Sequence, residues 1–145
     1  MRRFSIFVTA LVVALAGTIA LAQAVTTPEG LDAAMKKVGP AMGAANKAAK
    51  SMTYADAKAQ VMTVKQALMD AENFWVVNKK DDAVQMSKDA LARIAAVEEA
   101  LAAPAPNMEA VMASLKQVGG TCAACHKQYR VQDENMQYQL KPGSI

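Results

Sequence analysis

Histidine, cysteine and aromatic residues are scarce in this chain of 145 residues, which has one His, two Cys and 5% aromatics. The two Cys, Cys122 and Cys125, lie three residues apart, and a disulfide between them would close too small a loop to staple a fold. Glycine and proline are also few, at 7 and 5, and 20% of the residues are charged, so the composition does not indicate disorder. The length predicts one domain with a modest core.

Residues 1–24 have the three-part layout of a secretory signal. Arg2 and Arg3 precede an almost unbroken apolar stretch over 6–21, and a small-x-small cleavage site ends at Ala24. A cut two residues earlier and an uncleaved membrane anchor are the alternatives. Cleavage after Ala24 lowers the formal net charge from +3 to +1 and leaves no basic patch with interleaved aromatics. We therefore expect export, no nucleic-acid partner, and no membrane association once the signal is removed.

The rest of the chain has helical periodicity, because apolar residues recur at steps of three and four and Ala is abundant. No segment reads as a convincing strand. The pattern predicts an all-α domain over 25–130, an antiparallel up-down-up-down four-helix bundle, followed by a polar extension over 131–145. The four predicted helices run from about Pro28 to Lys50, from Thr53 to Asn78 or Lys79, from Asp81 to Ala102, and from Asn107 to Tyr129.

Two positions are expected to disturb these helices. Pro40 lacks a backbone donor and follows Gly39, so we expect an interruption and a kink in the first helix. Gly119 and Gly120 each lower helix stability by roughly 1 kcal/mol relative to Ala. They indicate either a break before Thr121 or close approach of a bound group to the backbone.

The most informative residues are Cys122-Ala-Ala-Cys125-His126. On a helix, these spacings place both thiols and the imidazole on one face, about one turn apart. Cys-x-x-Cys-His is the attachment signature of c-type haem, in which two thiols bond to the porphyrin and the imidazole binds the iron. A zinc site would lack a fourth ligand, and a thioredoxin-like pair would need a preceding strand.

The signal, the four helices and the block Val118–Arg130 together resemble the class II c-type cytochromes, which comprise cytochrome c-prime and its Met-ligated relatives. The resemblance implies one haem c per chain, with thioethers from Cys122 and Cys125 and His126 as the proximal iron ligand. Arg130 is then expected to contact a haem propionate or lie near the proximal imidazole. The implied function is single-electron transfer with redox partner proteins in the periplasm, not enzymatic catalysis, and many relatives form homodimers through their first two helices.

The ligand opposite His126 is left open by the residues alone. Because His126 is the only His, the candidates are Met, Lys, water or an empty position. The block Ala34–Met42 resembles the first-helix segment of the Met-ligated branch, which makes Met35 the expected ligand. Met42 lies two turns further along the same stripe and is the second candidate. An open position would instead indicate a five-coordinate protein that binds small gases such as nitric oxide or carbon monoxide.

Overall fold

A computed structural model describes residues 24–145, so the predicted signal lies outside the described residues except for Ala24. Four helices pack as an antiparallel bundle, as predicted. Within residues 24–145, no helix is both long and apolar enough to span a membrane. The helices are α1 (Pro28–Lys50), α2 (Tyr54–Val77), α3 (Asp81–Ala102) and α4 (Met108–Tyr129).

The predicted helix starts are confirmed, and two of them have side-chain caps. Thr27 Oγ1 accepts a hydrogen bond from Gly30 N at 3.2 Å at the start of α1. Asn107 Oδ1 accepts one from Ala110 N at 3.0 Å at the start of α4. Thr53 precedes α2 as predicted, but its side chain makes no capping hydrogen bond.

The expected helix breaks do not occur. Helix α1 continues through Pro40, whose ring lies on the exposed side. Helix α4 continues through Gly119 and Gly120, so of the two alternatives for these glycines the break before Thr121 is wrong. The surrounding turns supply enough hydrogen bonds and packing to override the local helix-breaking tendency of these residues.

Two groups of side chains form the core, one behind the other along the bundle axis. The first, the aliphatic cluster, contains no buried aromatic residue; its largest fully buried members are Val61, Val64, Ile94, Val97, Val111, Leu115 and Val118. The second, the aromatic cluster, lies where α1 and α3 begin and α2 and α4 end; it consists of Leu31, Ala71, Phe74, Trp75, Ala83 and Tyr129. Helices α1 and α4 contact each other much less than successive helices do, so the bundle is loosest along that side.

The C-terminal segment differs from the prediction of a polar extension without strands. It forms an antiparallel hairpin of β1 (Arg130–Gln132) and β2 (Tyr138–Leu140), in which Arg130 pairs with Leu140 and Gln132 with Tyr138. Asp133 Oδ1 closes the turn by accepting hydrogen bonds from Asn135 N and Gln137 N, at 2.9 and 2.8 Å. Strands of three residues are too short to show the alternation on which strand prediction depends.

Candidate cofactor site

Cys122, Cys125 and His126 lie on successive turns of α4 and all three are half-buried. Both cysteines are free thiols. Cys122 packs against the aliphatic cluster, whereas Cys125 packs against the aromatic cluster. The motif therefore lies at the boundary between the two parts of the core, near the end of the bundle.

A cavity of about 450 Å³ opens between α4 and the C-terminal hairpin. Cys122 and His126 line its helical side. Gly119 also lines it, and a Cβ built at Gly119 would meet no neighbouring atom within 4 Å. No atom of residues 24–145 accounts for the absence of a side chain at Gly119. The open space beside the Cys122 thiol and the His126 imidazole fits a planar group held against the helix. The whole lining consists of Gly119, Cys122, Ala123, His126, Lys127, Arg130, Val131, Gln132 and Tyr138.

Burial changes the acid–base properties of the motif. It raises the pKa of the Cys122 thiol, and burial together with the neighbouring Cys122 and Asp82 raises the pKa of Cys125 to about 11. Burial, assisted by the charge of Arg130, lowers the pKa of His126. At neutral pH both thiols are protonated and the imidazole is neutral, with a lone pair free to bind a metal. Reactive dithiol pairs have lowered thiol pKa values, so these directions do not support the thioredoxin-like alternative.

Tyr129 joins the motif helix to the start of α3. Its hydroxyl donates a hydrogen bond to Asp82 Oδ2 at 2.6 Å, and Gln128 Nε2 donates to the same oxygen at 2.6 Å. Its ring lies against Trp75, with the ring centroids 4.6 Å apart. Both Tyr129 and Trp75 are buried members of the aromatic cluster.

Arg130 lies at the junction of α4 and β1 and lines the cavity that His126 also lines. Its guanidinium carbon lies 3.8 Å from the centroid of the Tyr138 ring, a cation–π contact. Among residues 24–145, Arg130 makes no salt bridge. Its charge therefore remains uncompensated beside the cavity.

The two candidate Met ligands lie against different parts of the core. Met35 is half-buried and packs against the aromatic cluster, as Cys125 does. Met42 is also half-buried but packs against the aliphatic cluster, as Cys122 does. Neither Met lines the cavity that His126 lines.

Comparison with known protein families identifies the segment that contains the motif. Residues 71–130 match the family model described as Cytochrome C'. The Cytochrome C' match extends from the end of α2 through α4 and ends at Arg130. It does not include α1 or Met35, so it does not distinguish the Met-ligated branch. No curated protein and no solved structure matches the chain.

Sequence reasoning missed two residues of this region. Tyr138 is 53% exposed and lies in a segment that was predicted to lack strands, so no pattern pointed to its contact with Arg130. Asp82 lies in the first turn of α3, and nothing in its sequence position indicates that it accepts hydrogen bonds from α4. Both contacts join residues far apart in sequence or across a turn, where helical spacing carries no information.

Proposed function

We propose that this chain is a cytochrome c'-type protein that carries one covalent haem c and transfers single electrons. The observation that carries the proposal is the arrangement on α4 of two free thiols and a neutral imidazole, inside the segment matched by the Cytochrome C' model. Cys122 and His126 of this arrangement line a cavity. In this proposal Cys122 and Cys125 form the thioethers, and His126 is the proximal ligand. The function is carrier-like, not enzymatic.

Bound haem would supply an iron centre that alternates between ferric and ferrous states. The residues of this chain would fix its position and its surroundings. Cys122 and Cys125 would hold it to one face of α4, and Gly119 would allow it to approach the backbone. The aromatic cluster would exclude water from the Cys125 side, and burial of that kind is one of the factors that set a reduction potential.

Covalent attachment is the direct test. We expect the mature chain, exported in a host that attaches haem c, to have the mass of the polypeptide plus one haem. The haem should remain bound after denaturation and acid–acetone extraction. Cys125→Ala should leave a single thioether and a more labile haem, and His126→Ala should abolish the native absorption spectrum. The matched control is Thr121→Ala, one residue before the motif. A mature mass equal to that of the bare polypeptide would contradict the proposal.

Met35 is our proposed second axial ligand. Met35 would hold the iron from α1 and His126 would hold it from α4, so the two side chains need not line the same cavity. Met35 packs against the cluster that Cys125 contacts, and α1 and α4 contact each other less than successive helices do. These observations support the proposal that the Met35 side chain on α1 reaches a group attached to α4. A thioether sulfur on iron favours the ferrous state and raises the reduction potential.

The matched pair Met35→Ala and Met42→Ala tests this assignment, because both side chains are half-buried in α1. Each substitution should lower the free energy of unfolding by about 1 kcal/mol. Only Met35→Ala should convert ferric protein from low-spin to high-spin, remove the near-infrared sulfur-to-iron band and lower the reduction potential. Conversion by Met42→Ala alone would make Met42 the ligand. A high-spin spectrum in the unmutated protein would favour the five-coordinate, gas-binding alternative.

Location and partners follow from the same proposal. Covalent haem attachment of this kind takes place outside the cytoplasm, which agrees with the proposed signal over residues 1–24 and a periplasmic location. Electron transfer requires redox partner proteins. The net charge of the mature chain is close to zero, so it does not indicate whether these partners are acidic or basic. A homodimer through the outer faces of α1 and α2 stays a prediction.

A further inference from the structure

The C-terminal hairpin is firmly attached to the end of α4. Lys141 N donates a hydrogen bond to Tyr129 O at 2.9 Å, and Lys141 Nζ donates to Lys127 O at 2.8 Å. These carbonyls belong to the last turn of the helix, where they have no partner within the helix. Leu140 packs against the aromatic cluster, and Ser144 is buried. The hairpin is thus part of the folded domain.

The hairpin forms a wall of the cavity that His126 lines. Arg130, Val131, Gln132 and Tyr138 line the cavity from this side, whereas Gln139 does not. Tyr138 lies diagonally across the strand pair from Arg130, a spacing within reach of an aromatic ring and a long side chain.

Tyr138 is the residue that fixes Arg130. The guanidinium lies 3.8 Å from the Tyr138 ring centroid, and no salt bridge within residues 24–145 competes for it. A cation over an aromatic face is stabilised by roughly 1 kcal/mol at a partly exposed site. The contact therefore restrains both the hairpin and the positive charge that borders the cavity.

We propose that the C-terminal hairpin is a built-in shield for the His126 side of the haem site, and that Tyr138 acts as a positioning residue that holds Arg130 and closes this shield. This inference rests on the proposed function, since it assigns the hairpin a task toward the group held by Cys122, Cys125 and His126. The shield limits access of water to the His126 ring and keeps one cation beside the bound group.

The test measures solvent exchange of the His126 ring N–H that does not bind iron, by saturation-transfer NMR on the haem-loaded protein. Tyr138→Ala should accelerate this exchange roughly fivefold, the ratio that corresponds to loss of a contact of about 1 kcal/mol. It should also lower the reduction potential, because water enters and the cation is no longer fixed. Tyr138→Phe, which keeps the aromatic face, should restore the unmutated values. The matched control is Gln139→Ala, the adjacent residue on the opposite face of β2.

Two further measurements make the outcome decisive. A chain that ends at Asp133 lacks β2 and should exchange at least as fast as Tyr138→Ala. Unchanged exchange in Tyr138→Ala would overturn the proposal, and folding of both variants is checked by circular dichroism.

The mass of the purified chain reports separately on the proposed function. If it shows no haem, alkylation of Cys122 relative to Cys125 replaces the NMR measurement. Cys122 lines the cavity and Cys125 does not, so the ratio should rise about fivefold in Tyr138→Ala, and an unchanged ratio would reject the shield.

Discussion

Asp82 and Tyr129 form the strongest polar contact between two helices near the motif. The hydrogen bond from Tyr129 holds the pKa of Asp82 below its ordinary value. Burial, and then the hydrogen bond to Asp82, raises the pKa of Tyr129 from 10.0 to about 12. The lowered pKa of Asp82 stabilises the fold above the ordinary Asp pKa, and this contribution is lost as pH falls through the folded value. The raised pKa of Tyr129 stabilises the fold below pH 10, and this contribution is lost between about pH 10 and 12.

Asp82→Asn should therefore make the protein less stable at neutral pH and flatten the acid part of its stability curve. The amide oxygen of asparagine carries no full charge, so it accepts the two hydrogen bonds less strongly than the carboxylate oxygen does. Urea titrations at pH 7 and near pH 3 measure the difference. Asp81→Asn is the matched control, because Asp81 is an exposed carboxylate in the same first turn of α3. An Asp82→Asn protein whose stability varies with pH as steeply as the unmutated protein would show that this carboxylate is not responsible.

Residues that act through local spacing could be found in the sequence. Cys122, Cys125 and His126 lie within one helical turn and a half, so their common face follows from helix geometry. Tyr138 and Asp82 could not be found, because their partners lie across a turn or on another helix. The choice between Met35 and Met42 also depends on packing between α1 and α4, which spacing along α1 does not determine.

Helix boundaries were predictable at the scale of elements, since capping is a local effect. Asn107→Ala should lower the free energy of unfolding by about 1 kcal/mol, because it removes the side-chain cap of Ala110 N. Asn107→Asp should restore most of the loss, since Asp also caps. Thr53→Ala is the comparison at a start without a side-chain cap, and it should have a smaller effect. Chemical denaturation of the three variants measures these differences, and equal losses at Asn107 and Thr53 would refute the capping argument.

The C-terminal hairpin was the element that the sequence did not predict. Its strands have three residues each, and its stability depends on contacts with α4, the helix that precedes it in the chain. An apolar stripe marks a helix over six or seven turns, whereas a short strand gives at most two positions per face. At Pro40, Gly119 and Gly120 the sequence indicated helix breaks that do not occur. The local helix-breaking tendency of these residues is outweighed by the packing of long helices in the bundle.

The bundle as a whole was predictable because four long stripes joined by short connections leave few ways to pack. The buried residues of α2 and the end of α3 follow the predicted stripes, including Val61, Val64, Ile94 and Val97. Met108 is apolar but exposed, because it occupies the first turn of α4, beyond the packed part of the bundle. The split of the core into two clusters was not predicted, since it depends on which ends of the helices meet.

That split has a consequence for how this sequence can diverge. The aliphatic cluster occupies the middle of the bundle and its far end, whereas the buried aromatic residues gather at the end that carries Cys125 and Met35. Substitutions at separated positions contribute nearly independently to stability. Substitutions of Leu31, Phe74 or Trp75 could therefore change the surroundings of Cys125 and Met35 during evolution. The aliphatic cluster could accumulate its own substitutions independently.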